Sequence, residues 1–146
     1  MSMTDVFRSL GRSDALKLRQ EANTMSGTQI IDQEHAIPAF DPQKDYSSWP
    51  AGSPVADEGQ VWTLIIPHNA SHYPGVRPSG NRACWGLAHT KDPKRAKPWV
   101  DSYGTSGRYM KDECYIDSDG IVHRAKKDNL TFPASVVPSD WDAVII

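Results

Sequence analysis

"CYIDSDGIVHRAKKDNLTFP", residues 114–133, decides how this chain folds. Cys-Tyr-Ile is an extended, partly aromatic run, and Ser-Asp-Gly is a tight-turn signal. Ile-Val-His-Arg-Ala-Lys then resumes the extended pattern until a polar run and a proline end it. The reading is strand, turn, strand. The same order of parts stands upstream in "SPVADEGQVWTLIIPHNASHYP", residues 53–74. Within it "QVWTLII" (60–66) is the clearest strand of the chain, being β-branched, aromatic and apolar.

Laid on each other, the two stretches extend into a repeat. Phe40 or Trp99 opens a block, and Tyr46 or Tyr109 follows. "GSPV" (52–55) or "DECY" (112–115) begins a strand, and "DEG" (57–59) or "SDG" (118–120) turns it. "PHN" (67–69) matches "KDN" (127–129), Pro78 matches Pro133, and Trp85-Gly86-Leu87 or Trp141-Asp142-Ala143 closes the block. The steps from Gly59 to Trp62 and from Gly120 to His123 are equal; loops take up the remaining differences, because insertion there costs little. The repeat predicts two modules, residues 38–90 and 97–146, with "KDPKRAKP" (91–98) as a charged, proline-bounded linker.

The bulk composition agrees with short elements. A chain of 146 residues suits one ordinary domain or two very small ones, and 11 Pro with 10 Gly favour turns over long helices. A net charge of −2 leaves no basic excess to neutralise phosphates, so no nucleic-acid partner is expected. No apolar run approaches the roughly 20 residues that span a bilayer, so no membrane insertion is expected. "MSMTDVFRSLGRSD" (1–14) lacks the apolar core of a signal peptide. Two cysteines, Cys84 and Cys114, are few for a secreted disulfide scaffold; partly buried free thiols are expected, with a bridge between the blocks as the alternative. Five Trp and five Tyr exceed what two tiny modules can hide, so some rings should be core and others surface platforms.

Residues 13–26, "SDALKLRQEANTMS", read as a helix. Ser13 can cap it, and Ala15, Leu18, Ala22 and Met25 recur at spacings of three and four. Gly27 supplies a stop, and "TQIIDQEHAIP" (28–38) allows a short second helix that Pro38 ends. So short a helix is marginal in water without a partner. That partner is either the chain's own β module or further copies of the segment, which makes 1–37 a candidate docking and oligomerisation segment. The expected fold class is mainly β: a short N-terminal helical segment followed by two small antiparallel β modules.

The order of an opening aromatic, tyrosine, corner, hairpin glycine, aromatic strand, Asn-containing loop, proline and closing Trp, written twice, resembles the chitin-binding type 3 module. That module is a small β-domain appended to chitinases and other polysaccharide-degrading enzymes. The tandem form behind a helical segment is more specifically similar to carbohydrate-binding-like proteins of bacteriophage and prophage tails. Those proteins end in W-x-x-V, as "WDAV" does at 141–144. The resemblance covers residues 38–146 and implies compact, twisted modules with minimal cores. Trp62 and Trp85 would staple the first core, Trp99 and Trp141 the second. The second block departs from the pattern with Asp112-Glu113 at its corner and His123 in place of the strand aromatic; the first has Ser53-Pro54 after its glycine.

The resemblance also implies a carbohydrate site. A flat exposed ring stacks on the C–H face of a pyranose, while nearby Asn and Asp side chains meet its hydroxyls. Candidate platforms are Trp49, Tyr73, Tyr103 and Phe132, in polar, proline-flanked stretches, together with Trp62 of the strand. Candidate polar contacts are Asn69 and Asn129, beside Asp128, although such residues serve turns equally well. The first module keeps Trp62 and places Asn69 and Tyr73 in one loop, whereas His123 offers a smaller face. The first module is therefore expected to carry most of the affinity.

No catalytic pattern accompanies these residues. His68 and His72 are four apart, but Pro67 and Pro74 oppose the helix that would aim both at a metal. "DSDG" (117–120) resembles part of an EF-hand loop whose first and twelfth positions would be Tyr115 and Lys126, so it fails at both ends. Asp112, Glu113, Asp117 and Asp119 are close in sequence, yet a module this small promises no deep cleft for a glycosidase pair. No nucleophile elbow or phosphate loop is present. No enzyme, cofactor or metal is expected.

The function implied is that of a phage or prophage tail protein, of fibre or baseplate, that attaches to a host cell-surface glycan. Its partners would be that glycan and other tail proteins. Homo-oligomers, trimers among them, would multiply weak sites into avidity. Its place would be the virion tail, or the bacterial cytoplasm before assembly. Two alternatives stand beside it: a virion structural protein whose modules pack only against other proteins, and a non-catalytic targeting subunit of a polysaccharide hydrolase.

Overall fold

The structure is a computed structural model that describes residues 14–145; Ser13, the expected helix cap, and the rest of the N-terminal stretch lie outside the described residues. A helix α1 (14–21) runs into a 3-10 turn (Ala22–Thr24) and a five-residue helix α2 (Gly27–Ile31). Strands β1 (Pro54–Asp57), β2 (Gln60–Leu64) and β3 (Trp85–Leu87) form an antiparallel meander. Strands β4 (Lys97–Pro98), β5 (Cys114–Ile116), β6 (Val122–Ala125) and β7 (Trp141–Val144) form a second sheet in that order. The fold is mainly β with a short helical N-terminal segment.

The two sheets share one register. Val55 faces Trp62 where Tyr115 faces His123, and Trp62 faces Leu87 where His123 faces Ala143. Each unit opens with a parallel pairing, Ala39 with Ala56 and Pro98 with Ile116. The cores repeat the same arrangement of rings. Phe40 and Tyr46 stack with an interplanar angle of 11°, both edge-on to Trp85; Trp99 and Tyr109 stack at 11°, both edge-on to Trp141.

The corner before each hairpin is one geometry written with two residues. Gly52 N donates to Leu64 O (2.7 Å) and Asp112 N to Ala125 O (2.9 Å), and both residues are left-handed, at φ 94° and 73°. Asp is among the few side chains that enter this region at modest cost, so the departure at 112 preserves the corner. A Cβ on Gly52 would also stand 2.8 Å from Asn23 Cα. Gly52→Ala should therefore cost about 1–2 kcal/mol or more, whereas Asp112→Gly should be neutral or stabilising. Paired thermal melts check this, and an unchanged Gly52→Ala melt would refute the close contact with the 3-10 turn.

The structure differs from the sequence alignment in its turns. Glu58 and Gly59, both at positive φ, make a two-residue turn that suits the strand twist. The second hairpin needs three residues, 118–120, closed by Gly120 N donating to Asp117 O at 3.0 Å. Beyond it, Tyr46 N donates to His68 O but Tyr109 N donates to Leu130 O. His68 therefore corresponds to Leu130, and the match of 67–69 with 127–129 is out of step by the residues the second block has gained.

Residues 91–98 are built into the fold and do not form a free linker. Asp92 Oδ1 accepts from Lys94 N (3.0 Å) and starts a 3-10 turn, Pro93–Arg95, while Lys97–Pro98 is an edge strand, where proline is tolerated. Cys114 N donates to Thr90 O at 2.8 Å, so the exit from the first sheet pairs directly into the second. The two units interlock. Cys84 and Cys114 are both buried and free.

The helical segment packs on its own chain. Ala22, Ile30 and Ile31 cluster with Val61 and Ala88, on the sheet face opposite Trp62, and Leu18 is buried. Ser26 and Gln29 form a reciprocal capping box at the start of α2. Gly27 thus opens α2 and does not serve as a stop; a Cβ there would collide with the His89 carbonyl. Thr28 Oγ1 accepts from Lys91 N (2.9 Å) and Glu34 pairs with Lys97, which ties the segment to the crossing between the sheets. Of the two partners open to the stripe, Ala22 and Met25 take the first sheet of their own chain.

Candidate functional site

A groove of about 780 Å³ opens on the second unit between the β5–β6 turn and the loop that leads to β7. Trp99, Tyr115, Pro133, Ala134 and Trp141 give it an apolar wall, and Asp117, Ser118, Asp119 and His123 a polar end. Strand alternation sends Tyr115 to the side opposite Cys114 and Ile116, where it meets the rings. Tyr115 stands edge-on to Trp99 (5.1 Å) and Trp141 (4.9 Å) and stacks with His123 (4.9 Å, 21°).

Hydrogen bonds fix the wall. The Tyr115 hydroxyl accepts from Ala134 N (2.9 Å), which pins the 133–135 loop and leaves its own proton for donation. Trp141 Nε1 donates to Phe132 O (3.0 Å), and Trp99 Nε1 to Asp101 Oδ1 (2.7 Å). At the polar end, His123 Nε2 lies 2.7 Å from Asp117 Oδ2, while Asp117 Oδ1 accepts from Asp119 N and Ile121 N. The bond from His123, then that from the Ile121 amide, holds the Asp117 carboxyl below the usual carboxylate range. With Asp117 ionised, Nε2 of His123 is the donor in this bond.

The corresponding place in the first unit is closed. Trp62 takes the position of His123 and is only 1% exposed, with Nε1 donating to Asp57 O at 3.3 Å. The Arg82 guanidinium lies 5.2 Å from the Trp62 ring centroid, and Arg77 pairs with Asp57 (2.6 Å) and Glu58 (3.8 Å). A loop of the second block covers the rest. Val100 packs on the first core, and Asp101 O accepts from Arg82 Nη1 (2.9 Å). Gly107 comes so near that a Cβ would sit 2.7 Å from Arg82 Nη2. Trp62 is therefore core, and the first unit presents no open counterpart of this groove.

None of the seven residues expected to bind sugar lines the groove. Trp49 is half-buried, edge-on to Tyr46, with Arg19 4.1 Å over its ring. Asn69 is a turn cap: its Oδ1 accepts from Ser71 N (3.0 Å) and Ser71 Oγ (2.6 Å). Asn129 is exposed at φ 62° as a turn residue, and Asp128 Oδ1 accepts from Lys111 N. Tyr73 and Tyr103 are exposed on loops of their own. Phe132, 58% exposed, adjoins groove-lining Pro133. Sequence reasoning missed Tyr115 and His123 as site residues. The signal was the exchange of the cross-strand pair Val55 and Trp62 for Tyr115 and His123, which moves the bulk of this face from one strand to the other.

Among the described residues no group of three or more His, Cys, Asp or Glu is placed to hold a metal ion, and no helix is long and apolar enough to cross a membrane. No family model matches the chain, and no curated protein matches it significantly.

Proposed function

We propose that the protein is a non-catalytic carbohydrate-binding component of a phage or prophage tail, and that it holds a host surface glycan in the groove of its second unit. The observation that carries the carbohydrate reading is the groove itself. Its rings and prolines offer an apolar wall to pyranose C–H faces, and Tyr115, Ser118, Asp119 and His123 offer hydrogen bonds to hydroxyls. The tail assignment rests on the repeat, the helical lead and the W-x-x-V ending. A hydrolase fits less well, because Asp117 is committed to His123 and to two turn amides, leaving no pair of free carboxyls across a scissile bond. Where each chain offers this groove to one glycan segment, avidity comes from multiplying copies.

Ala143 provides the test, since it is exposed, lines the groove and matches Leu87 of the closed unit. Oligosaccharides that score on a glycan array would be titrated calorimetrically. Ala143→Trp should weaken binding roughly tenfold or more, a loss of about 1.4 kcal/mol, while Tyr73→Ala and Tyr103→Ala bind as wild type. Loss with Tyr73→Ala alone would move the site to the first unit. An array on which the wild type binds nothing would favour a purely structural tail protein.

A further inference from the structure

The closed groove shows which chemistry this scaffold accommodates. In the first unit Asp57 and Glu58, at the hairpin turn, receive the Arg77 guanidinium, and a second guanidinium, that of Arg82, lies over Trp62. Two of the unit's own cations thus take this place, whereas in the second unit only the first of the two carboxylates has a partner, His123. In the second unit Asp117 stands at the position of Asp57, and Asp119, preceding the turn glycine as Glu58 does, carries the second carboxylate. No lysine or arginine lines this groove. Among the described residues the Asp119 carboxylate makes no ion pair and accepts no hydrogen bond.

We propose that the open groove is a cation-accepting sugar site, and that its preferred ligand is a glycan bearing protonated amines, of the glucosamine type. The inference rests on the carbohydrate reading above and names its substrate class. An ammonium group beside Asp119 forms a charge-assisted hydrogen bond, and the ring faces at the wall add cation–π attraction. An anionic sugar in the same place meets the unpaired Asp119 carboxylate, while Asp117 is already engaged by His123, so uronates and phosphate-bearing glycans are disfavoured. A neutral N-acetylated sugar keeps the apolar stacking and loses the charged contact. It binds, but more weakly.

Calorimetric titration of the intact protein with three oligomers of equal length, at a mildly acidic pH that keeps the amines protonated, tests this. The probes are β-1,4-linked glucosamine, its N-acetylated form and a uronate-containing oligomer. The glucosamine oligomer should bind about tenfold more tightly than the acetylated one, and the uronate more weakly than either. Asp119→Asn should remove most of that preference, lowering affinity for the glucosamine oligomer far more than for the acetylated one. Asp128→Asn, outside the groove, should leave it intact and so separates the local carboxylate from the net charge of the chain. Equal affinities for amine and acetyl forms, or an Asp119→Asn change that weakens both alike, would overturn the proposal while leaving the carbohydrate reading standing. Binding of none of the three would overturn both. Binding of an arginine-rich peptide in their place would make the groove a protein-docking site and overturn both as well.

Discussion

Trp85→Ala and Trp141→Ala are each expected to remove about 3–5 kcal/mol of stability, a large share of the roughly 5–15 kcal/mol that holds a domain together. Each indole is the hub of its unit. Trp85 takes the edges of Phe40 (5.8 Å), Tyr46 (5.3 Å) and His68 (5.6 Å) and is almost wholly buried. Trp141 meets Trp99, Tyr109 and Tyr115 at 6.0, 5.4 and 4.9 Å, and its Nε1 satisfies Phe132 O. Truncation leaves a cavity between rigid rings that cannot collapse into it, and at 141 it also leaves a carbonyl without its donor. Urea titrations followed by far-UV circular dichroism would show both midpoints falling. Trp141 also faces the groove, so Trp141→Ala should lose ligand as well as stability. Lost binding with an unchanged midpoint would mean that this indole is a platform and not a staple. Because the units interlock through Thr90–Cys114 and Arg82–Asp101, each variant should still unfold in one transition. Two separated transitions would show that the units melt independently.

What the sequence made legible was whatever depends on neighbours along the chain. The hairpins, their turn glycines and the closing tryptophans are local patterns, and they recur at nearly constant steps in both blocks. The positive-φ corner was half legible: glycine at 52 announces it, and Asp112 hides it. The site was not legible, because a groove is defined by what fails to fill it. His123 reads as a poorer stacking surface than Trp62, whereas with Tyr115 in place of Val55 it forms part of the ring wall of the second groove. Trp49 read as a free platform because nothing local reveals that Arg19, thirty residues earlier, covers its ring. Pro93 and Pro98 read as a linker for a similar reason: proline opens a 3-10 turn and sits on a sheet edge as readily as it extends a tether. The helical stripe was correct as a pattern, but its partner, the Val61 face of the first sheet, is a tertiary fact.

The second large effect is a loss of stability on acidification that starts at the seam between the units. His89 is 6% exposed, stacks on Tyr109 at 3.6 Å and bonds through Nε2 to Gly107 O at 2.8 Å. Burial holds its pKa down, to about 4 from an ordinary 6.5; the Gly107 carbonyl pulls it partly back up, and the nearby Arg82 charge lowers it further. Between those two values the unfolded chain binds a proton that the folded chain refuses. Stability is therefore complete above about pH 6.5, falls as the pH drops through this window and levels off near 4, a total on the order of 3 kcal/mol. Glu113 acts in the opposite sense, because burial raises its pKa and the folded state takes up its proton first. The His89 contribution is thus read as the difference between wild type and His89→Gln, which cannot titrate. Urea midpoints measured across the window should slope downward toward acid more steeply for wild type than for the variant. Parallel slopes would mean that the folded protein protonates His89 freely, and that Tyr109 and Gly107 do not seal it. The same seam keeps the 100–107 loop over Trp62, so acid should also raise the accessibility of that indole to a fluorescence quencher before global unfolding. A Trp62→Phe variant identifies which share of the quenching belongs to it.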